Sequence, residues 1–217
     1  MTYEVRRING RAEAYPLDAS FDPERLSGVW AEMDEADIAD YPWLGAYPYH
    51  CRACARVGMA QDGLAVLMYA WETPVISRET CFGGSPCEDS CMEFFVSPFP
   101  EKTQAYLNIE INPSGIAHVG YGRDRFGRFV HVEPVKDMDI RTCVREGKLW
   151  AVSFTVPFSL IERHFGAAPL GAKSLKGNFY KCSGPLLHEH YGCWNHVGTE
   201  KPDFHRPEYF GDLIIAE

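Results

Sequence analysis

The chain has no long apolar run. None of its 217 residues fall in a segment approaching the ~20 apolar residues that cross a bilayer, and "MTYEVRRINGRAEAY" carries charges with no apolar stretch behind them. That start predicts no membrane segment and no secretory signal. It places the protein in the cytoplasm, or outside the cell if an export signal has been trimmed away. Cations are also scarce: 21 Lys and Arg stand against 30 Asp and Glu, for a net charge of -9. Such a balance argues against gripping nucleic acid through its phosphates. There is no internal repeat and no low-complexity linker. A phosphate-cradling glycine loop, a G-x-S-x-G elbow, an H-E-x-x-H helix and an EF-hand loop are all missing, which removes the commonest signatures of nucleotide, serine-hydrolase and metalloprotease chemistry.

Helical pattern is sparse as well. Residues 22–41 allow a turn or two of helix after Asp22-Pro23, and "PFSLIERHFG" (157–166) places Ile161 and Phe165 on one side, with Gly166 to close it. Strands take up the rest. "LAVLMYAWE" (64–72) is apolar on both faces, as a central sandwich strand is. "CMEFFVSP" (91–98) alternates Met92, Phe94 and Val96 against Cys91, Glu93 and Phe95, and "AYLNIEINP" (105–113) alternates Leu107, Ile109 and Ile111 against Tyr106, Asn108 and Glu110. "IAHVGYG", "LWAVSFTVP", "KGNFYKC" and "YFGDLII" follow, separated by Gly/Pro turns. With 46% apolar residues to fill a core, this predicts an all-β chain: one antiparallel β-sandwich of immunoglobulin-like or jelly-roll type spanning 1–217, with one or two short helices.

Successive strand side chains point to opposite faces. If 91–98 and 105–113 pair as a hairpin, Glu93 and Phe95 share the outer face with Tyr106, Asn108 and Glu110. "KGNFYKC" would add Asn178 and Tyr180 to the same layer. The result is a patch of carboxylates, amides and rings with no Lys or Arg in it. Carboxylates and amides pair with hydroxyls, and ring faces cover the C–H faces of a sugar, so the patch suits a small carbohydrate. A merely solvated sheet face alternates in the same way. Trp71 and Trp194 lie at a strand end and in a polar loop, where binding residues concentrate.

The eight cysteines and the histidines offer other chemistry. Cys51 and Cys54 have C-x2-C spacing, and Cys87 and Cys91 add a looser pair, together a conceivable four-thiolate zinc site. A strand at 51–60 would point Cys51 and Cys54 to opposite faces, however, which favours buried free thiols. His188 and His190 at i, i+2 on a strand would share a face toward a metal, and Glu88, Asp89 and Asp203 could supply oxygens to calcium. Glu93 and Glu110 on adjacent strands also resemble the paired carboxyls of a glycoside hydrolase, the enzymatic alternative.

Together "DSCMEFFVSPFP", "AYLNIEINPSGIAHVGYG", "WAVSFTVPFSLI", "KGNFYKC" and "WNHVGTEKPDFHRPEYFGDLII" resemble the family 9 carbohydrate-binding module group over roughly residues 50–215. The D-x-x-x-E-x-F-x-x-P strand, the N-P-x-G turn and the closing P-x-F-H-R-P-E-x-F-G carry the likeness. The resemblance implies a β-sandwich with a non-catalytic sugar-binding role in carbohydrate catabolism. It implies no required cofactor and admits calcium as a structural ion. It also implies that Trp71 and Trp194 clamp the sugar while Glu93 bonds its hydroxyls. Tyr106, Asn108, Glu110, Asn178 and Tyr180 would complete the site.

Overall fold

In the computed structural model, which describes residues 1–186 and 188–216, nearly all regular structure is β. One sheet runs β8 (Phe129–Val130), β7 (Ala117–Gly122), β6 (Tyr106–Ile111), β5 (Cys91–Ser97), β11 (Ser174–Ser183), β13 (Gly211–Ile215) and β1 (Thr2–Arg7). The other runs β1, β3 (Ala53–Met59), β4 (Gly63–Ala70), β10 (Leu149–Pro157) and β9 (Arg141–Arg145), with the short β2 (Ala36–Asp37) on β3. β12 (His190–Cys193) extends the first sheet beside the second half of β11, where β13 has already left it. The N-terminal strand stitches the two sheets. Its first residues pair with β13 and Arg6–Arg7 pair with β3, both in parallel, whereas the other pairings are antiparallel.

The β5–β6 hairpin has the register that alternation predicts. Met92, Phe94 and Val96 face inward beside Leu107, Ile109 and Ile111, and meet Val66, Met68, Val152 and Phe154 of the opposite sheet in one continuous core. Each fully buried side chain of this size contributes about 1.5–3 kcal/mol. The predicted helix forms as α2 (Phe158–Phe165) and seals one end with Leu160 and Ile161. Gly166 takes the left-handed C-cap, with φ of 77°, and Pro157 serves as the N-cap. After Asp22-Pro23 the chain makes only a single 3-10 turn, capped by the Asp22 carboxylate, and then α1 (Val29–Glu32).

Both outer faces of the sandwich are covered too. Phe21, Trp30 and Met33 from the N-terminal segment pack on Leu67 and Tyr69 of one sheet. Trp43, Phe204 and Phe210 pack on Phe95, Tyr106 and Tyr180 of the other. For that reason β4, β5, β6 and β10 are buried along their whole lengths, polar residues included. The row from Tyr106 to Glu110 is therefore not a wet surface.

At one end of the core a charge is enclosed. Lys181 and Glu72 are 0% and 2% exposed. The Lys181 Nζ donates to Glu72 Oε1 at 3.1 Å and to the Cys182 carbonyl at 2.7 Å, and the Trp150 indole donates to Glu72 Oε2 at 2.7 Å. Among the described residues no helix is long and apolar enough to cross a membrane.

Candidate functional site

Glu93 and Glu110 stand directly opposite one another in the β5–β6 register, and Tyr180 flanks Glu93 on the other side. One step along, Phe95 lies between Asn108 and Asn178. Glu93 is 3% and Glu110 6% exposed. Both line a cleft of about 260 Å³ whose walls include Tyr191, Phe204, His205 and the rim residues Arg125 and Asp203. A larger groove of about 510 Å³ adjoins it at His205 but is lined by charged residues such as Arg123, Lys176 and Arg206, without the buried carboxylates.

The guanidinium of Arg128 enters this layer from the loop joining β7 to β8. It can do so because the strand beneath it is Gly120-x-Gly122. A Cβ on Gly120 would lie 2.3 Å from Arg128 Nη2 and equally close to Asn108 Oδ1, and one on Gly122 would meet Arg128 Cγ at 2.5 Å. The bare backbone is thus a bed for the side chain. Arg128 Nη1 reaches the ring nitrogens of His205, and the guanidinium carbon sits 5.6 Å from the centre of the Tyr106 ring. The expectation of a patch without Lys or Arg is corrected here: a cation lies among the acids.

Hydrogen bonding around the carboxylates is incomplete. Asn108 Nδ2 donates to Glu110 Oε1 at 2.6 Å, and the Cys182 thiol donates to Glu93 Oε1 at 3.0 Å. Among the described residues, three buried side-chain polar atoms find no protein partner: Asn108 Oδ1, Arg128 Nε and Arg128 Nη2. Buried donors and acceptors are nearly always paired, so three orphans in the layer directly behind the cleft wall formed by Glu93, Glu110 and His205 leave polar capacity unused there. Burial, and then the Glu110 carboxylate facing it, push the Glu93 carboxyl up to about 8. Burial and the neighbouring Arg128 depress His205 to about 2, so its ring is neutral and accepts at Nδ1 from the Tyr106 hydroxyl at 2.9 Å.

The remaining residues singled out from sequence divide cleanly. Tyr106, Tyr180 and Asn178 are in the right layer but act as its frame. Tyr180 stacks on Phe204 with ring centres 4.0 Å apart, and Asn178 bonds the backbone of Asn195 at 2.8 and 2.9 Å. Asn112 is likewise spent on its turn. The tryptophans lie elsewhere. Trp71 continues the Leu67–Tyr69 side of β4 and packs on the outer face of the other sheet, under Arg52 at 4.3 Å. Trp194 turns into the main core between Tyr3 and Phe179 and is 5% exposed. Neither converges on Glu93. The rings that wall the cleft are Tyr191 and Phe204, brought in by β12 and by the loop before β13.

The residues of the metal readings are dispersed or committed to other partners. Cys51 belongs to the main core, Cys54 to the outer cluster of one sheet and Cys91 to that of the other, so the four-thiolate set does not assemble. His188 stacks on Tyr49, while the buried His190 contacts Lys181 at 3.0 Å, so the pair does not face one ion. Asp89 Oδ2 accepts from Arg78 N, Glu79 N and Asn112 Nδ2, and Asp203 is held by Arg125 and Arg206. Asp89 and Asp203 are thus committed to N–H donors, whereas Glu88 lies in the turn Pro86–Glu88 that lines the cleft.

Solved structures share the fold. A candidate carbohydrate-binding protein from Bacteroides uniformis superposes with a TM-score of 0.76 at 23% identity, covering 99% of each chain. A family 9 carbohydrate-binding module from Caldicellulosiruptor kristjanssonii in complex with cellotriose gives 0.65 at 11% identity, over 99% of this chain and 93% of that one. The same organism's module with glucose gives 0.63 at 11%, over 98% and 95%. No curated protein matches the chain in sequence. The sequence profile of carbohydrate-binding family 9 matches residues 23–215, nearly the whole sandwich and both strands of the carboxylate pair, and the chain belongs to that family.

Proposed function

We propose that the protein binds a small neutral carbohydrate in the cleft above Glu93 and Glu110, as a non-catalytic component of carbohydrate catabolism. The observation that carries this is the facing pair of nearly buried carboxylates on a small cleft walled by Tyr191, Phe204 and His205, with the unpaired Asn108 Oδ1 and Arg128 Nε and Nη2 in the layer behind it. Each sugar hydroxyl both donates and accepts. The carboxyl oxygens of Glu93 and Glu110 receive its protons, and the guanidinium of Arg128, held against His205 at the cleft wall, is the donor that a small shift of its side chain would bring to the sugar oxygen. Tyr191 and Phe204 offer ring faces or edges to the C–H face of the same ring.

The size of the cleft supports a small ligand. At about 260 Å³ it falls below the ~300–1,000 Å³ typical of pockets for drug-sized ligands. It suits one sugar ring, or the end of a chain, rather than a length of polysaccharide. Family membership and the glucose and cellotriose complexes of structural neighbours support the same class. Titrating glucose, xylose and their short oligomers by calorimetry tests the reading; heat that saturates with a monosaccharide or disaccharide is expected.

One observation favours an enzyme: Glu93 is raised toward neutrality opposite Glu110, the arrangement by which a carboxyl stays protonated as a general acid. Incubation with aryl glycosides decides it. Turnover abolished by Glu110→Gln would establish hydrolysis; no turnover leaves binding alone.

A further inference from the structure

Sugar binding leaves the sulfurs of this layer without a role. Cys91 and Cys182 are directly opposite in the β5–β11 register, on the face that carries Glu93. The two Sγ atoms and a Glu93 carboxylate oxygen all lie within 4.8 Å of one another, and Cys182 Sγ is 3.0 Å from Glu93 Oε1. These residues are 0%, 2% and 3% exposed in the order Cys91, Cys182, Glu93. All are free thiols or free acid, and a further thiol, Cys87, lines the same cleft from the turn Pro86–Glu88.

We propose that Cys91, Cys182 and Glu93 form a site for a thiophilic divalent cation of the zinc class, with its fourth position opening into the cleft. Zinc holds sulfur at about 2.3 Å and carboxylate oxygen at about 2.0–2.2 Å, so tetrahedral ligand atoms stand roughly 3.4–3.8 Å apart. The trio's ligand atoms, all within 4.8 Å of one another, are already near that spacing. Two thiolates and one carboxylate are a borderline-soft donor set, which selects zinc or cadmium over calcium and magnesium. The cleft supplies the entry path that a buried site needs. Two thiolates and a carboxylate carry one negative charge more than the ion offsets, and the fields of Lys181 and Arg128 reach Glu93 to balance it. The second cluster of this kind, Glu35, Asp37 and Cys54, is occupied otherwise: Glu35 is already bonded to Arg56 at 2.8 Å and to Tyr69. The cation site shares Glu93 and the cleft with the sugar reading, but it rests on the thiol geometry, and a metal titration without sugar tests it separately.

The test is a cadmium titration of the full chain, reduced and stripped of metal, followed by the sulfur-to-cadmium charge-transfer absorption. Zinc affinity comes from competition with a chromophoric chelator. One equivalent is expected to saturate the band. Cys91→Ser and Cys182→Ser should each weaken binding at least tenfold, and Glu93→Gln should weaken it while the band persists. Cys81→Ser, at the exposed thiol, should change nothing. If the serine variants fail to fold, the cadmium NMR shift of the wild type decides, because a two-thiolate environment is distinct from a one-thiolate or all-oxygen one. No saturation at one equivalent overturns the proposal. So does binding that survives both serine substitutions, or binding lost with Cys54→Ser or Cys81→Ser.

Discussion

Arg128 lies against the bare backbone of Gly120, so close that a single added carbon would stand 2.3 Å from its Nη2. Asn108 Oδ1 is at the same distance from that point. The contact makes a strand glycine, with no side chain of its own, a determinant of the site. Gly120→Ala should push the guanidinium out of the acidic layer. The expected outcome is a loss of sugar affinity of tenfold or more with a destabilisation of about 1–3 kcal/mol, the usual range for overpacking. Calorimetry on the folded variant, with denaturant unfolding alongside, measures both. Unchanged affinity would place Arg128 outside the binding site.

The tryptophans separate binding from packing. Trp194 sits in the main core against Tyr3 and Phe179, so Trp194→Ala should cost about 3–5 kcal/mol of stability. Trp71 lies on the far sheet beneath Arg52, and Trp71→Ala should leave sugar affinity within about twofold. Loss of binding in a well-folded Trp71→Ala protein would return the clamp to the tryptophans.

Burial makes the Lys181–Glu72 pair a sharp probe of the core. Removing one partner from a buried ion pair costs about 3–5 kcal/mol, because the other charge is left uncompensated. Lys181→Met should therefore unfold at markedly lower urea concentration. Lys181→Met with Glu72→Gln should recover much of the loss, since a neutral amide can still accept from the Trp150 indole. A double variant no better than the single one would show that shape rather than charge is at stake.

Acid should weaken the fold through its histidines before the ordinary carboxylates titrate. His205 and His190 are held down to about 2 and His164 to about 4, all chiefly by burial, and the ordinary value is 6.5. Below 6.5 the unfolded chain takes up protons that the native ring refuses, so stability falls as pH falls. Glu93, raised to about 8, acts in the opposite sense over the same interval. The readout is therefore the difference between wild type and His205→Gln in urea midpoint, from pH 7.5 to 5.5. Wild type should lose more stability than the variant; equal losses would mean that His205 is protonated in the native state.

Much of this architecture was legible along the chain, and the exceptions share a cause. Alternation in 91–98 and 106–111 sorts inward from outward residues, and with it comes the facing of Glu93 and Glu110. Alternation cannot report what covers the outer row. Trp43, Phe204 and Phe210 reach it from loops remote in sequence, and only folding reveals that the row is buried. Arg128 belongs to no recognisable motif; its place depends on Gly120 and Gly122 of the preceding strand, which read locally as flexibility. β1 alternates too, with Tyr3 and Val5 turned into the core, but two apolar residues among Glu4, Arg6 and Arg7 are too short a pattern to stand out in the sequence. Trp71 stands at a strand end, where a binding role suggests itself, but its parity with Leu67 and Tyr69 assigns it to the outer face of the other sheet.

The central claim is that Glu110 and Arg128 together hold a neutral sugar. Isothermal titration of wild type, Glu110→Gln and Arg128→Ala with glucose and short cello- and xylo-oligosaccharides tests it most directly. Each charged hydrogen bond lost should cost about 1.5–3 kcal/mol, which is tenfold or more in affinity. Saturable heat in the wild type, reduced at least tenfold in both variants, is the predicted result. No heat with any neutral sugar, or binding indifferent to both substitutions, would contradict it.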